Sequence, residues 1–544
     1  MKGDFARVSF DPTLHYSQVF QQQGRVLLEA DWNEQAHIQL HLLRTLVRDL
    51  VGPCWAAGGG FAIASSSPPN ADGNSTPLPL TDWKLAPGHF YVDGILCMNG
   101  AVHTLAQQPN APTPDYGVAD GKSGFENPPA GFALWLDVWE RHLCAVEAPR
   151  IADVALDGVD TASRAQVVWQ LRMLDQPRAQ QQLDDVTAAL KVRQAAADNP
   201  TDAATIKQQL AEVAALRKSL GVGDQAGASP CTAVRQLLGA RAAYALPRLR
   251  AELGPQESDN DPCVIAADAR YRGCENQLYR VEIHQGGLAG VASFKWSREN
   301  GSVVFPVTHH DLGATADDGS AQLAVILARL GRDARLGLAA NDWVELVDDR
   351  YTLGQRAYPL LQVIAVDPAS CSVTLNVPKN TVPWPLDDDS HQHPLLRRWD
   401  QRAAVNAQGV LAVAEGAPIA LEDGIQVTFE PGGLYATGDY WLIPARVAGN
   451  GLLDWPATGG APAALPPRGR HHYAALGVAG DGNFDECCCR FGTLCELIQA
   501  DRNRQPGAND RRAVFAPPAV TAKAGAKPAP KRTRAKAKTI AKPG

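Results

Sequence analysis

The chain reads as a mainly β protein: several small β-sandwich or barrel modules, an N-terminal helix, an inserted α-helical hairpin and a disordered basic C-terminal tail. Three observations predict this class. Short runs alternating apolar and polar residues recur at intervals of roughly ten, each closed by a Gly, Pro, Asn or Asp turn signal. The 544 residues include 48 Gly and 39 Pro, a usage that suits frequent turns better than long bundles. Apolar residues fall at helical spacing in only two stretches, one near the start and one around residues 176–262.

Residues 1–54 form the first expected segment, an arm and a helix. In "QQQGRVLLEADWNEQ", Gln21 to Gln35, Val26 and Leu28 alternate like a short strand. Asp31 then fits an N-cap, with Glu34 at the capping-box distance. Ile38, Leu42, Leu43, Leu46, Val47 and Leu50 continue at helical spacing until Gly52-Pro53 stops the helix. The acidic and amide cluster is thus read as a helix start rather than a site.

A first β-rich domain is expected over 55–175. After a Gly/Ser/Pro/Asn loop, "HFYVDGILCMNG" predicts a hairpin turning at Asp93-Gly94. "FALWLDVWERHL" and "AQVVWQLRML" add two strands. The period then changes. Leu183, Val186 and Leu190, followed by Ile206, Leu210, Val213, Leu216 and Leu220, predict two helices joined at Asn199-Pro200 in a coiled-coil-like hairpin. With a further helical piece around Ala233 to Leu253, this makes 176–262 a helical insertion. Strand signals return over 263–500, a second β-rich region with room for two modules, one being a meander at 342–378. Residues 501–544 are linker and basic tail.

Hydrophobic residues at 45% and charged residues at 20% exclude a wholly disordered chain. "MKGDFARVSF" has no apolar signal core, and no run reaches the roughly 18 apolar residues of a membrane helix. A cytoplasmic, soluble protein is expected, and the 11 scattered cysteines are therefore expected reduced. Net charge is −7; eight lysines and arginines without an acid follow Ala516, so the remainder carries −15. Such a body repels nucleic acid, and only the 516–544 tail offers it, or any acidic surface, a weak electrostatic contact.

Candidate chemistry is thin. Cys487-Cys488-Cys489 with Cys495 suggests metal, but adjacent cysteines cannot readily face one ion and no second pair follows. His309-His310 with Asp311, His391 and His393 with Asp387, Asp388 and Asp389, and His471-His472 are the imidazole and carboxylate groupings. Each is read as hydrogen-bonding strand or loop residues. Asp137 and Glu140 are a conceivable glycosidase pair, which requires carboxyls roughly 5 to 10 Å apart. "KWSRENGS", Lys295 to Ser302, is read as a turn at Asn300-Gly301 with Trp296 in the core, the other reading being a ligand loop. No G-x-S-x-G, phosphate loop or G-x-G-x-x-G occurs. No catalytic, cofactor-binding or metal residue is assigned, and no cofactor is expected.

Separated segments resemble, in order, the landmarks of an uncharacterised bacterial family, a domain of unknown function. They are "MKGDF", "HYS", "QQGRVLLEADWNEQ", "YVDGILC", "DTASRAQVVWQ", "YRGCENQLYRVEIH", "FKWSRENGSVV", "GDYWLIPAR" and "HHYAALGV". The resemblance spans about residues 1 to 500. It implies an association with phage-tail-like contractile injection systems and carries over no catalytic residue. "LAPGHFYVDG" also resembles a strand-turn-strand element of phage baseplate and tail-fibre proteins. The expectation is a structural, non-enzymatic baseplate or fibre component whose partners are other protein subunits, itself included. The rivals are a carbohydrate-binding or carbohydrate-cleaving β-module displaying Trp384 and Trp399, and a scaffold tethered to nucleic acid by the tail.

Overall fold

The structure is a computed structural model, and it describes residues 1–67, 74–111, 118–119, 122–123, 129, 131–156, 159–221, 230–254, 270–381, 392–448, 451–480, 483–492 and 496. The chain divides into two compact units, Met1–Phe491 and Gly492–Gly544. The basic tail lies outside the described residues, and the architecture below is that of the first unit. It is mostly β, with five α-helices among the described residues.

The arm runs without regular structure, apart from a short 3-10 turn at Pro12–Leu14, into helix α1, Glu29–Val51. The strand expected at Val26 and Leu28 is absent; Gln23-Gly24 turn instead and the apolar run lies open to solvent. The cap also moves. Leu28 is the residue before the helix, and Asp31 sits inside the first turn, where its charge favours the positive end of the helix dipole. Glu29 and Glu34 are engaged with the arm: the Ala6 amide donates to Glu29 at 2.8 Å and the Ser9 hydroxyl to Glu34 at 2.5 Å. Tertiary hydrogen bonds thus use the carboxylate that the capping box reserved for the helix's own amides.

The hairpin Gly88–Val92 and Ile95–Asn99 forms as its Asp-Gly signal requires, with φ of 49° at Asp93 and 79° at Gly94. Gly94 is also where α1 rests. A Cβ there would stand 2.2 Å from the Arg44 carbonyl oxygen. This hairpin joins Cys54–Ala57 and Cys489–Phe491 in a four-stranded sheet. A second four-stranded sheet has the order Arg164–Asp175, Gly131–Leu143, His472–Gly480, Asn483–Glu486. The two share one core, in which Phe90, Val92 and Cys97 meet Leu134, Leu136, Trp169 and Leu476. The first sandwich therefore draws its last strands from the far end of the unit.

Helices α2 (Gln176–Ala195) and α3 (Pro200–Gly221) form the expected hairpin. Asp175 caps α2 by accepting from the Arg178 amide, and Asn199 does the same for Asp202. Helix α4, Pro230–Tyr244, packs into the same core through Ala233, Leu237 and Ala240. Leu249–Leu253, expected to be helical, is instead a strand paired with Ile425–Phe429. Its alternating burial follows that partner, a preference no local window could show.

A second sandwich packs Leu249–Leu253, Ile425–Phe429 and Pro418–Ala420 against five strands, among them Ser293–Ser297, Gln277–Gln285 and Tyr440–Arg446. Next to it stands a closed six-stranded barrel in the order Val304–Leu312, Ala321–Leu327, Ser372–Val377, Leu361–Asp367, Trp343–Val347, Leu395–Trp399. Three of its strands are the meander read at 342–378. A short helix α5, Asp349–Gly354, follows one barrel strand and is capped by Asp348. No described helix is long and apolar enough to cross a membrane.

Candidate functional site

The strand Gln277–Gln285 is buried on both faces, although only one face is apolar. Tyr279, Val281 and Ile283 enter the sandwich core, while Arg280, Glu282 and His284 point the other way and are each under 5% exposed. Pairing places Lys295 and Tyr440 on either side of Glu282. The barrel presents a matching outer row. Leu346 and Leu396 fill its interior, so the alternate residues Glu345 and Arg397, directly opposed in the ladder, face outward, and Trp399 stands two residues beyond Arg397.

Between these faces lies a layer of paired charge. Arg280 Nε donates to Glu282 Oε2 at 2.5 Å, and Lys2 of the arm reaches Glu282 Oε1 at 3.0 Å. Lys295 Nζ meets Glu345 Oε1 at 2.5 Å and lies 4.4 Å from the centre of the Trp399 ring. Trp399 Nε1 donates to Glu345 Oε2 at 2.9 Å, and the Tyr351 hydroxyl from α5 also donates to Glu345. The Arg280 guanidinium sits 3.6 Å over the Tyr440 ring, whose hydroxyl accepts from the Met1 nitrogen. Asn300 donates to the Gly3 carbonyl at 2.9 Å and to that of Met1 at 3.2 Å. Phe5 and Val8 pack on Leu278, Tyr440 and Leu442. Three landmark segments, "MKGDF", "LYRVEIH" and "FKWSRENGS", therefore meet here.

Burial alone would raise both carboxyls. Lys2, Arg280 and Lys295 outweigh it at Glu282 and hold it well below the usual range; Lys295 and Lys2 bring Glu345 down to about 2. Burial lowers Lys2 to about 8 against the pull of Glu282. A carboxylate held this way is a poor proton acceptor at neutral pH, so the layer acts as a clamp on the arm. A cleft of about 1390 Å³ opens beside it, lined among others by Lys2, His142, Arg280, Glu345, Tyr351 and Arg397.

The groupings singled out in the sequence are dispersed. Asp137 and Glu140 are three apart on one strand, hence on opposite faces; Asp137 binds His471 at 2.5 Å and Arg172 at 3.0 Å, while Glu140 is held by Arg44 of α1. They do not form a pair. His472 binds Asp93 at 2.7 Å and His393 binds Asp349 at 3.1 Å. His309 and His310 lie on a barrel strand. His391, Asp387, Asp388, Asp389, Trp384 and Cys495 lie outside the described residues. Trp399 is 1% exposed, which removes it from any sugar-binding surface. Among the described residues no cluster of three His, Cys, Asp or Glu is placed to hold a metal.

The cysteine expectation needs correcting. Cys487 is bonded to Cys231 of α4 across 256 residues. Val234 and Leu238 of the helix pack against Ala475 of the strand His472–Gly480, a contact that sequence distance conceals. Cys488 remains a thiol, and burial raises its pKa. In "KWSRENGS" the turn is as read, with φ of 51° at Asn300 and 66° at Gly301 and with Trp296 buried. Its charged members are also engaged: Arg298 binds Glu422 at 2.9 and 2.7 Å, and Glu299 accepts from Arg335 at 2.7 Å.

The second feature of functional size is an exposed apolar surface. Helix α1 buries only Ala30 and Ile38. Leu28, Trp32, Leu42, Leu43, Leu46 and Leu50 are exposed, Trp32 to 77%, and the preceding arm adds Tyr16, Phe20, Val26 and Leu27. The 3.6-residue spacing predicts the helix; that most of its stripe faces solvent has no sequence signal except its length.

The architecture is that of a multi-module, mainly β protein. Residues 1–543 match a family of unknown function (DUF6519), and the chain belongs to that family. No curated protein matches the sequence. Among solved structures, the chain is similar to one from the "type VI secretion system TssK-TssF-TssG baseplate subcomplex" at 12% identity and a TM-score of 0.15, covering 46% of this chain and 93% of that one. A second similar structure, titled "Crystal structure of TssK", has 9% identity and a TM-score of 0.14, covering 76% of this chain and 98% of that one. Values this low establish no common fold.

Proposed function

We propose that this protein is a structural, non-enzymatic assembly subunit, of the kind that builds a phage-tail-like or contractile injection particle. The apolar surface of α1 is the observation that carries the assembly role; the ordered family landmarks supply the particle. Monomers seldom leave a contiguous apolar patch of this size in water. At about 200 Å² per large side chain, of which roughly two-thirds is exposed, the ten residues of the arm and helix offer on the order of 1,300 Å², enough for one side of a stable interface.

The partner on this surface is a second copy of the chain, with α1 paired antiparallel to itself. The stripe is symmetric about Gln39. Ala36 and Leu42 lie three residues to either side, Trp32 and Leu46 seven, and Leu28 and Leu50 eleven. Reversing one helix sets Trp32 on Leu46, Leu28 on Leu50 and the small Ala36 against Leu42. Two Gln39 amides meet at the centre, where a polar residue fixes register. The segment after Ala516 has no large apolar residue beyond Val520 and Ile540 and cannot fill the stripe.

Light scattering on the full chain checks this reading. The wild type should elute at twice the chain mass and Leu46→Glu at one chain mass, with unchanged circular dichroism. A monomeric wild type at micromolar concentration overturns the reading.

A further inference from the structure

The ionic layer contains one charge it does not balance. Arg141, Arg280, Lys295 and Arg397 are all buried cations. Arg141 has Glu147 and Asp349, Arg280 has Glu282, and Lys295 has Glu345. Arg397 is 4% exposed, and neither its Nε nor its Nη1 has a hydrogen-bond acceptor. Glu345 is its direct neighbour across the ladder, but it accepts from Lys295 and Tyr351 at one oxygen and from Trp399 at the other, and Arg397 Nε and Nη1 do not reach it. Val304, on the other side, is apolar. A guanidinium keeps its charge at any pH a protein tolerates, and burying that charge without a counter-ion is among the most costly arrangements an interior can hold.

The surroundings favour an anion. Arg397 lines the cleft of about 1390 Å³, together with Lys2, Arg280 and His142. The Nε2 of His142 is buried and also lacks a partner. Burial, then the Met1 amine and Arg397, hold the His142 imidazole down to about 3, so near neutrality it is uncharged and can donate one hydrogen bond. Lys2 is lowered by burial and by Arg397 and Arg280, which shows how closely these cations are gathered.

We propose that the cleft binds a small tetrahedral oxyanion of the phosphate or sulfate type, with Arg397 as its principal ligand and His142 and Lys2 beside it. A guanidinium prefers an ion that offers several acceptor oxygens, which chloride does not provide. The ion would complete the charge balance between sandwich and barrel, and with it the seat of the arm. This inference is independent of how α1 is partnered.

Thermal unfolding of the full chain at constant ionic strength tests it, with inorganic phosphate replacing chloride. Saturable stabilisation by phosphate is expected, as for any ligand that binds only the folded state. Sulfate should compete, and acetate at equal concentration should produce no shift. In Arg397→Met the phosphate response should vanish while the melting temperature in chloride holds or rises, because an unbalanced buried charge has been removed. Arg397→Lys keeps the charge without the fork and should weaken phosphate binding at least tenfold by calorimetry. Equal melting in phosphate and chloride overturns the site, as does an Arg397→Met variant that retains the response. An acetate response as large as that of phosphate overturns the tetrahedral assignment.

Discussion

Two regions of this chain reverse the usual placement of side chains. Between sandwich and barrel, lysine, arginine and glutamate lie where a core would hold leucine; along α1, tryptophan and leucine lie where a surface would hold lysine. The difference lies in what satisfies each. Arg397 apart, the charges are matched within the chain, and the match includes Lys2, so the layer fixes where the arm sits. The apolar stripe has nothing among the described residues to cover it, and in the reading proposed above its complement is a second copy of the chain. A buried polar layer thus specifies geometry inside one chain, and an exposed apolar one points to assembly between chains.

The comparison is most easily broken inside. Lys295→Met leaves Glu345 buried with only neutral donors from Trp399 and Tyr351. Stability should fall by about 3–5 kcal/mol, the cost of one uncompensated interior charge. The double change Lys295→Met with Glu345→Leu should recover much of this loss. Denaturant titration of the two variants separates a layer whose members depend on one another from one in which each charge is separately tolerated; equal losses would refute the mutual matching.

Acid is the next largest test. Burial foremost, with nearby cations, holds His142 down to about 3 and His284 down to about 4, from 6.5. Unfolded, both imidazoles take a proton near 6.5 while the folded forms refuse it. Their contribution is therefore complete above pH 6.5 and is lost as pH falls towards 4, at up to about 1.4 kcal/mol per pH unit for each. Glu345, held down to about 2 from 4.5, adds a second loss below pH 4.5. Melting temperature should be flat from neutral pH to 6.5 and then decline in two stages. In His284→Phe the first stage should become shallower.

How much of this was legible in the sequence follows from the range of each interaction. The Asp93-Gly94 and Asn300-Gly301 turns, the α2–α3 hairpin and the barrel meander are set by neighbours a few residues apart, and local period and turn chemistry show them. The strand Leu249–Leu253, the Cys231–Cys487 bond and the clamp on Lys2 depend on partners 170 to 280 residues away. Arg280, Glu282 and His284 alternate with apolar residues as a solvent-facing edge would, so their burial was invisible until the barrel was placed against them. Asp137 and Glu140 failed as a pair for the simplest reason, a strand period of two.

The smallest expected effect is the most discriminating for α1. A residue that packs on its own fold costs stability when it becomes charged; one kept for a partner costs almost none in the isolated chain. Leu46→Glu, measured at a concentration low enough to dissociate any dimer, should therefore match the wild type to within about 0.5 kcal/mol. Ile38→Glu, one of the two buried positions of the same helix, should lose several times more. The contrast also carries a concentration signature. Wild-type melting temperature should rise with protein concentration, because a dimer is stabilised by mass action, and that of Leu46→Glu should not. If both variants lose stability equally, the helix packs on the chain by both faces and the stripe is no interface.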